Sequence, residues 1–479
     1  MNRREGDGVR ALSFRDPAGR LFQVGDRLVR FVHESAAPAF SAFLKSASAR
    51  ELQQRNVLVG SHPTDDAETL ATLRAITDDL GPGVFVEHER VPFVSYPHEW
   101  PAVMLYEAAR LTLDIAARVL DDGFGLKDAT PYNVVYRGPR PVFVDVLSFE
   151  PRDPRDPTWL PYAQFVRTFV LPLLASRAAR LAPHRVFAMS DQGLAPQDVY
   201  RLCGVVRRLT PPFLTLATIP TWLDRRQTAR STTVHQPKRT GDAGEAAFVL
   251  LRLFRSLSRT LERVKPRADE RSHWSDYAPE GSYSPAGIAA KRAFVAAALA
   301  DSAPGSVLDV GCNTGEFSLL AARAGARVVS IDADEAAVTR LWRRAAADGV
   351  DVLPLVVDVA NPTPATGWRN ADRSSFLARA TGSFDMVLCL ALLHHVLVDA
   401  RIPLVEVVDL IGDLTRRDAV IEFVGREDPM FRRIARGRDA LFERVTVAAF
   451  ERAAERRFAV VRAEPLPDSH RVVYLLRRR

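Results

Sequence analysis

A chain of 479 residues, 47% hydrophobic and 26% charged, has room for two or more cores and the composition of an ordinary globular protein, which excludes fibrous and disordered classes. Its formal charge of +7 comes almost wholly from arginine, only five residues being Lys (45, 127, 238, 265 and 291); the arginines are spread among abundant Ala with no Lys-rich run and no aromatic RNA-binding signature, which argues against a nucleic-acid partner. Three cysteines, Cys203, Cys312 and Cys389, stand at no metal-ligand spacing, so neither a disulfide scaffold nor a metal site is expected and a reducing, cytoplasmic setting fits.

In chain order, the start MNRREGDGVRALSF carries charge with no apolar run behind it, and no stretch of 18 apolar residues occurs anywhere, so neither secretion nor a membrane span is expected. Residues 11–225 read as an α+β domain. Arg20 to Val32 predicts a hairpin, Val84 to Val94 two short strands, and Pro101 to Leu120 a helix with apolar residues at helical spacing. LKDATPYNVVYRGPRPVFVDVLSFE follows. In it Asp128, Asn133 and Asp145 resemble the catalytic loop and metal-binding strand of protein-kinase-like phosphotransferases, a resemblance that implies a base at Asp128 and magnesium held by Asn133 and Asp145. The match is partial: Asp145 precedes Val-Leu rather than Phe-Gly, Lys127 replaces the usual arginine, and neither a glycine-rich phosphate loop nor a third-strand lysine is evident. Two other readings stand beside it, a turn shaped by local Asp and Asn hydrogen bonds, and a domain that recruits or presents a substrate.

Residues 223–245 are polar, basic and without apolar periodicity, so a linker is expected, and Ala246 to Val264 predicts a basic amphipathic helix packed on one of the domains. The division is therefore 11–225, a connecting segment 226–270, and a second domain 271–479. From Ser306 onward short β-branched runs (SVLDV, RVVSID, VLPLVVD, FDMVLCL, AVIEFV) alternate with helical segments, the sequence form of a parallel sheet covered on both faces. The tail adds FAVVRA and RVVYLL with no helix between them, an antiparallel hairpin at the sheet edge that brings the strands to seven.

The most informative stretch is VLDVGCNTGEF. A strand ends near Asp309, a turn carries Gly311 and Gly315, and a helix opens at about Glu316, so backbone can approach a ligand closely. An acid two residues before the first glycine would repel a pyrophosphate but suits a cation, and S-adenosylmethionine offers a sulfonium and an ammonium, with a carboxylate for the free N–H groups of the turn. The second strand ends at Asp332, placed for a ribose diol, and the third at Asp358, placed for an adenine amino group. VLDVGCNTGEFSLLAARAGARVVSID and FDMVLCLALLHHV resemble motif I and the fourth strand of class I S-adenosylmethionine-dependent methyltransferases. WSDYAPEGSY, LLHHV and IEFVGREDPMF resemble phrases of a nodulation-associated group within them. That resemblance implies a Rossmann-like seven-stranded sheet and a cofactor site of Asp309, Gly311, Cys312, Asn313, Gly315, Asp332, Ala333, Asp358, Val359 and Leu390. Asn313 departs from the usual glycine.

Methyl transfer from a sulfonium depends mainly on orientation, with a base required where the acceptor is protonated. His394 and His395, just past the fourth strand, are the candidate bases, and Glu422 in the fifth strand is a further polar group. Trp274, Tyr277 and Tyr283 are candidates for a lid over the cofactor. The expected activity is methylation of a small molecule or glycan-type acceptor; the alternatives are a bifunctional protein with an ATP-binding N-terminal domain and an RNA or protein methyltransferase.

Overall fold

The computed structural model describes residues 9–13, 15–76, 80–226, 239–267 and 283–479; Trp274, Tyr277 and the segment WSDYAPEGSY apart from Tyr283 lie outside them. The chain divides into two units, one of Met1–Tyr136 and Pro141–Pro266, the other of Arg137–Arg140 and Arg267–Arg479.

In the first unit β1 (Val9–Ala11), β2 (Gly19–Val24) and β3 (Arg27–His33) run antiparallel. Val24 pairs with Arg27 across a two-residue turn in which Gly25 takes φ +57°, the left-handed backbone that tight hairpins need. β4 (Ser61–Pro63) and β5 (Gly83–His88) complete a five-stranded sheet of order β1-β2-β3-β5-β4. Only one strand forms where the sequence suggested two between Val84 and Val94, because Pro92 has no N–H to give a ladder. Val9, Phe22, Val29, Phe31, Leu73, Leu80 and Phe85 form a core on this sheet.

The helix Ala102–Arg118 follows, apolar over most of its surface and buried along it. β6 (Phe124–Leu126) pairs antiparallel with β9 (Phe149–Pro151), and β7 (Val134–Arg137) pairs with β8 (Arg140–Phe143). The helix Ala243–Val264 buries Ala246, Leu250, Phe254, Leu257 and Leu261 and packs on the helix Ala102–Arg118, with the Tyr106 hydroxyl donating to Glu262 at 2.5 Å. Its arginines lie on the opposite face, which is why composition alone set it apart from either domain.

The second unit carries β10 (Ser306–Val310), β11 (Arg327–Asp332), β12 (Val352–Val356), β13 (Phe384–Cys389), β14 (Thr415–Val424), β15 (Phe458–Pro465) and β16 (Arg471–Arg478). Their order is β12-β11-β10-β13-β14-β16-β15: five parallel strands, then β16 antiparallel between β14 and the edge strand β15. This is the seven-stranded Rossmann-like sheet with its terminal hairpin. β10 and β12 are buried along their whole length; β12 is a continuous apolar run, while β10 carries Ser306 and Asp309 within its apolar residues. Val307, Met386, Leu388, Val420, Val473 and Leu475 of the sheet join Phe294, Val295 and Leu299 of the helix Pro285–Ser302 in one core. Successive strands leave β10 first toward β11 and then toward β13, and such a reversal opens a crevice at the carboxyl ends of the central strands. Among the described residues no helix is long and apolar enough to cross a membrane.

Candidate active site

The turn after β10 is held by backbone. The N–H groups of Gly311 and Cys312 both donate to the Ile331 carbonyl, at 2.9 and 3.0 Å, and that of Gly315 donates to Cys312. Gly311 and Gly315 take φ of +76° and +81°, and Asn313 takes +47°, a region that asparagine tolerates better than most residues. Glycine at 315 is also a matter of space, since a Cβ there would lie 2.0 Å from Leu341 Cδ1. The helix Glu316–Arg323 opens directly behind it, leaving its first N–H groups facing the turn.

Asp309 is 3% exposed. Its Oδ2 accepts from Ser318 Oγ at 2.5 Å, and Ser330 Oγ donates on to Ser318 at 2.9 Å. Burial pushes the Asp309 carboxyl up to about 6, the Ser318 hydrogen bond pulling the other way and the nearby Asp332 charge adding to the rise. Asp332 sits on the neighbouring strand with Oδ2 accepting from the Asn313 N–H at 2.8 Å and Oδ1 from that of Asp334 at 2.9 Å. Burial raises its carboxyl too, offset in part by those backbone donors. The Ala333 N–H acts on it as well, so backbone donors from both sides aim the carboxylate. The Val357 N–H donates to the Asp332 carbonyl, which brings the end of β12 alongside; Asp358 itself is exposed, and its Oδ1 accepts from the Ala360 N–H at 2.9 Å. Two desolvated carboxylates at adjoining strand ends are electrostatically suited to a cation, so these residues fit the donor.

On the other side of β10, the segment leaving β13 passes through Leu390 and Ala391 and sets the Leu392 side chain 3.0 Å from where a Gly311 Cβ would be. His394 and His395 follow with ring centroids 4.2 Å apart. His395 Nδ1 lies 3.1 Å from Asp399 Oδ2. His394 is 1% exposed and among the described residues neither ring nitrogen has a hydrogen-bond partner; burial, then His395 and Arg471, lower its proton affinity well below the ordinary histidine range.

Beside this loop lies a buried charged cluster that sequence reasoning reached only at Glu422 and Tyr283. Glu422, one residue past the pairing of Ile421 with Cys389, meets Lys291 Nζ at 2.6 Å, accepts from the Tyr283 hydroxyl at 2.7 Å and lies 3.4 Å from Arg471 Nη1. Arg471 Nε and Nη2 reach the two oxygens of Asp428 at 2.7 and 3.1 Å. Burial pushes the Glu422 carboxyl up, but Lys291 and Arg471 outweigh it and hold it below its ordinary range. Lys291, Arg471 and Asp428 come from three distant segments, which no local spacing connects. The one available signal was lysine itself, rare in this arginine-rich chain.

In the first unit Asp128, Asn133 and Asp145 come together around Ser148. Asn133 Nδ2 donates to Ser148 Oγ at 3.2 Å and to the Asp128 carbonyl at 3.4 Å, and Ser148 Oγ donates to Asp145 Oδ2 at 2.6 Å. Gln164 Nε2 donates to Asp128 Oδ1 at 3.2 Å, and Arg30 on β3 stands 3.9 Å from Asp145. Among the described residues no group of three His, Cys, Asp or Glu is spaced to hold a metal ion.

Residues 282–446 match the family model of a methyltransferase domain. Along its length the chain is 30% identical to the nodulation protein NoeA of Rhizobium meliloti strain 1021 over 470 residues, 97% of this chain and 95% of that one. A shorter stretch of 91 residues is 33% identical to the ubiquinone biosynthesis O-methyltransferase of Caulobacter vibrioides, spanning 19% of this chain and 31% of that protein. Among solved structures, magnesium protoporphyrin IX methyltransferase of Synechocystis PCC 6803 with bound SAH aligns with 40% of this chain and 84% of its own, at 20% identity and a TM-score of 0.30.

Proposed function

The chain belongs to the family of the nodulation protein NoeA and is an S-adenosylmethionine-dependent methyltransferase, and from that premise we propose that it methylates a small molecule or glycan-type acceptor at the carboxyl ends of β10 and β13. The observation that carries this reading is the pair of carboxylates, buried Asp309 and half-buried Asp332, flanking a glycine turn whose first N–H groups are fixed by β11. In it, Asp332 accepts from the ribose diol, Gly311, Cys312, Asn313 and Gly315 form the floor, Ala333, Asp358, Val359 and Leu390 surround the adenosine, and Asp309 faces the cationic end. The bound donor supplies an activated methyl group on a sulfonium.

The chain's own share is orientation and one proton. A protonated acceptor must lose its proton when it is methylated, and a base on the segment that follows β13 would take it. We assign that role to the pair His394 and His395: Asp399 at His395 Nδ1 orients that ring, and burial keeps the His394 imidazole unprotonated at neutral pH. Profiling metabolites with an isotopically labelled methyl donor, wild type against Asp332→Ala, tests this: a labelled small product is expected in the wild type alone, and label confined to RNA or protein would overturn it.

A second reading concerns the first unit, as a phosphotransferase-like domain. It is supported by the meeting of Asn133 and Asp145 on Ser148, between a loop that follows β6 and a segment that follows β8, with Arg30 of β3 beside Asp145. Magnesium-dependent consumption of ATP by the full chain, abolished by Asp145→Ala, is the expected result; no turnover and no ATP binding would leave the loop a hydrogen-bonded turn.

A further inference from the structure

In the first unit the helices Pro196–Leu202, Val205–Arg208 and Ile219–Arg226 turn apolar side chains outward. Val205 is 70% exposed, Val206 80% and Leu209 57%, with Leu202 exposed just before them, and the helix Val205–Arg208 buries none of its residues. Neither packing nor propensity accounts for two adjacent valines there: no core gains from them, and a β-branched residue is a poor choice for an exposed helical turn. The turn is nonetheless held in place. Arg207 Nη1 donates to the Ala178 carbonyl at 2.5 Å, Arg208 Nε to that of Tyr200 at 2.8 Å, and the Thr218 hydroxyl to the Arg208 carbonyl at 2.7 Å. Trp222, one helical turn beyond Thr218, and Leu223 are exposed as well.

The charge beside these residues is mostly of one sign. Arg177 and Arg180, on either side of Ala178 along the chain, and Arg207 are exposed, and among the described residues none of the three meets a carboxylate. Arg201 is exposed too, 3.8 Å from Asp198, whose other oxygen accepts from the Ala195 N–H at 2.9 Å. An apolar surface bordered by unpaired cations repels a second copy of itself, and valine and leucine offer nothing to a phosphodiester backbone. It complements an anionic bilayer, where aliphatic side chains enter the boundary of headgroup and acyl chain, tryptophan settles at the same depth, and arginine stays among the phosphates.

We propose that this surface docks the chain on an anionic lipid bilayer, with Leu202, Val205, Val206 and Leu209 entering the boundary and Arg177, Arg180 and Arg207 meeting lipid phosphates. The docking is independent of the methyl-transfer site and goes beyond the acceptor reading above.

The test is co-sedimentation of the full chain with vesicles of phosphatidylcholine alone and with vesicles that also hold phosphatidylglycerol, at about 0.1 M salt. Wild type is expected to bind the mixed vesicles at least ten-fold more tightly than the neutral ones, since each arginine near an anionic surface contributes about five-fold. Val205→Asp/Val206→Asp is expected to lose at least ten-fold on the mixed vesicles through lost insertion, and Arg177→Gln/Arg180→Gln at least ten-fold on the mixed vesicles with no change on the neutral ones. All four positions are exposed, so both variants are expected to unfold in urea as the wild type does, which separates lost binding from lost fold. Equal binding of wild type to both kinds of vesicle, or to neither, would overturn the proposal, as would variants that bind like wild type. So would a lipid-free dimer that Val205→Asp/Val206→Asp dissociates, which assigns the surface to a second copy, or tighter binding to polyuridylate than to the mixed vesicles, which assigns it to RNA.

Discussion

The Ser318 hydroxyl donates to Asp309 Oδ2 at 2.5 Å inside the sheet, so the carboxylate is oriented by a group that cannot neutralise it. Its carboxyl titrates near 6 against an ordinary 3.8. The folded state therefore holds this proton more tightly than the unfolded one; the stability it contributes is complete below about pH 4 and is lost as pH rises through about 6. Asp309→Asn removes the titration while keeping an acceptor for Ser318. Without donor, the variant is expected to be more stable than wild type at pH 8 by about 2–3 kcal/mol, the gap closing near pH 4, in urea unfolding at the two pH values. Donor affinity is expected to fall at least ten-fold in the same variant. A gap independent of pH would mean that the carboxyl is not the source.

Asp332 carries a different load. Its oxygens already hold the N–H groups of Asn313 and Asp334, so Asp332→Ala both removes the proposed ribose acceptor and unties the loop. Loss of two charge-assisted hydrogen bonds corresponds to about 100-fold or more in donor affinity. Calorimetry on Asp332→Ala checks this, and unchanged affinity in both Asp309→Ala and Asp332→Ala would remove the basis for the cofactor site.

Gly315 is constrained twice, by φ +81° and by Leu341 Cδ1 at 2.0 Å from an added Cβ. Gly315→Ala is expected to cost about 2–4 kcal/mol, the sum of a left-handed penalty and an overpacked contact. Adding Leu341→Ala relieves only the second part. A Gly315→Ala/Leu341→Ala double variant should therefore lose less than the sum of its single variants, as read by thermal unfolding; strict additivity would show that the two residues do not press on one another.

Legibility followed the range of the interactions. β10 and β11 begin and end where SVLDV and RVVSID do, because parallel strands covered on both faces are mostly β-branched and apolar, and burial lessens at Gly311 and Asp332. The glycines at 311 and 315 were readable because their φ values leave few alternatives. Lys291, Arg471 and Asp428 were not, since each is an ordinary charged residue in its own segment and acquires meaning only when β14, β16 and the helix Pro285–Ser302 are packed. The second strand expected before Val94 fails for a local reason instead: ERVPFV has strand-like residues, but Pro92 decides against a ladder.

His394 supplies the remaining prediction. Its imidazole is buried with both nitrogens unpartnered among the described residues, and its proton affinity lies well below the value near 6.5 of an unfolded chain. Above pH 6.5 both states are neutral at this residue, so its contribution to stability is intact. As pH falls below 6.5 the unfolded chain takes up a proton that the folded one refuses, and stability is lost at up to about 1.4 kcal/mol per pH unit until the folded residue also titrates. His394→Leu abolishes that term and fills the site without an unpaired donor or acceptor. At pH 7 the variant is expected to gain about 1–3 kcal/mol over the donor-free wild type, and at pH 5 the gain should widen. The shift of Asp309 is common to both proteins and cancels in the comparison. Urea unfolding at pH 7 and pH 5 reads the difference directly. Label transfer from the methyl donor should be lost in His394→Leu while donor binding persists, and a variant that is no more stable at pH 5 than at pH 7 relative to wild type would show that the imidazole is not held neutral by the fold.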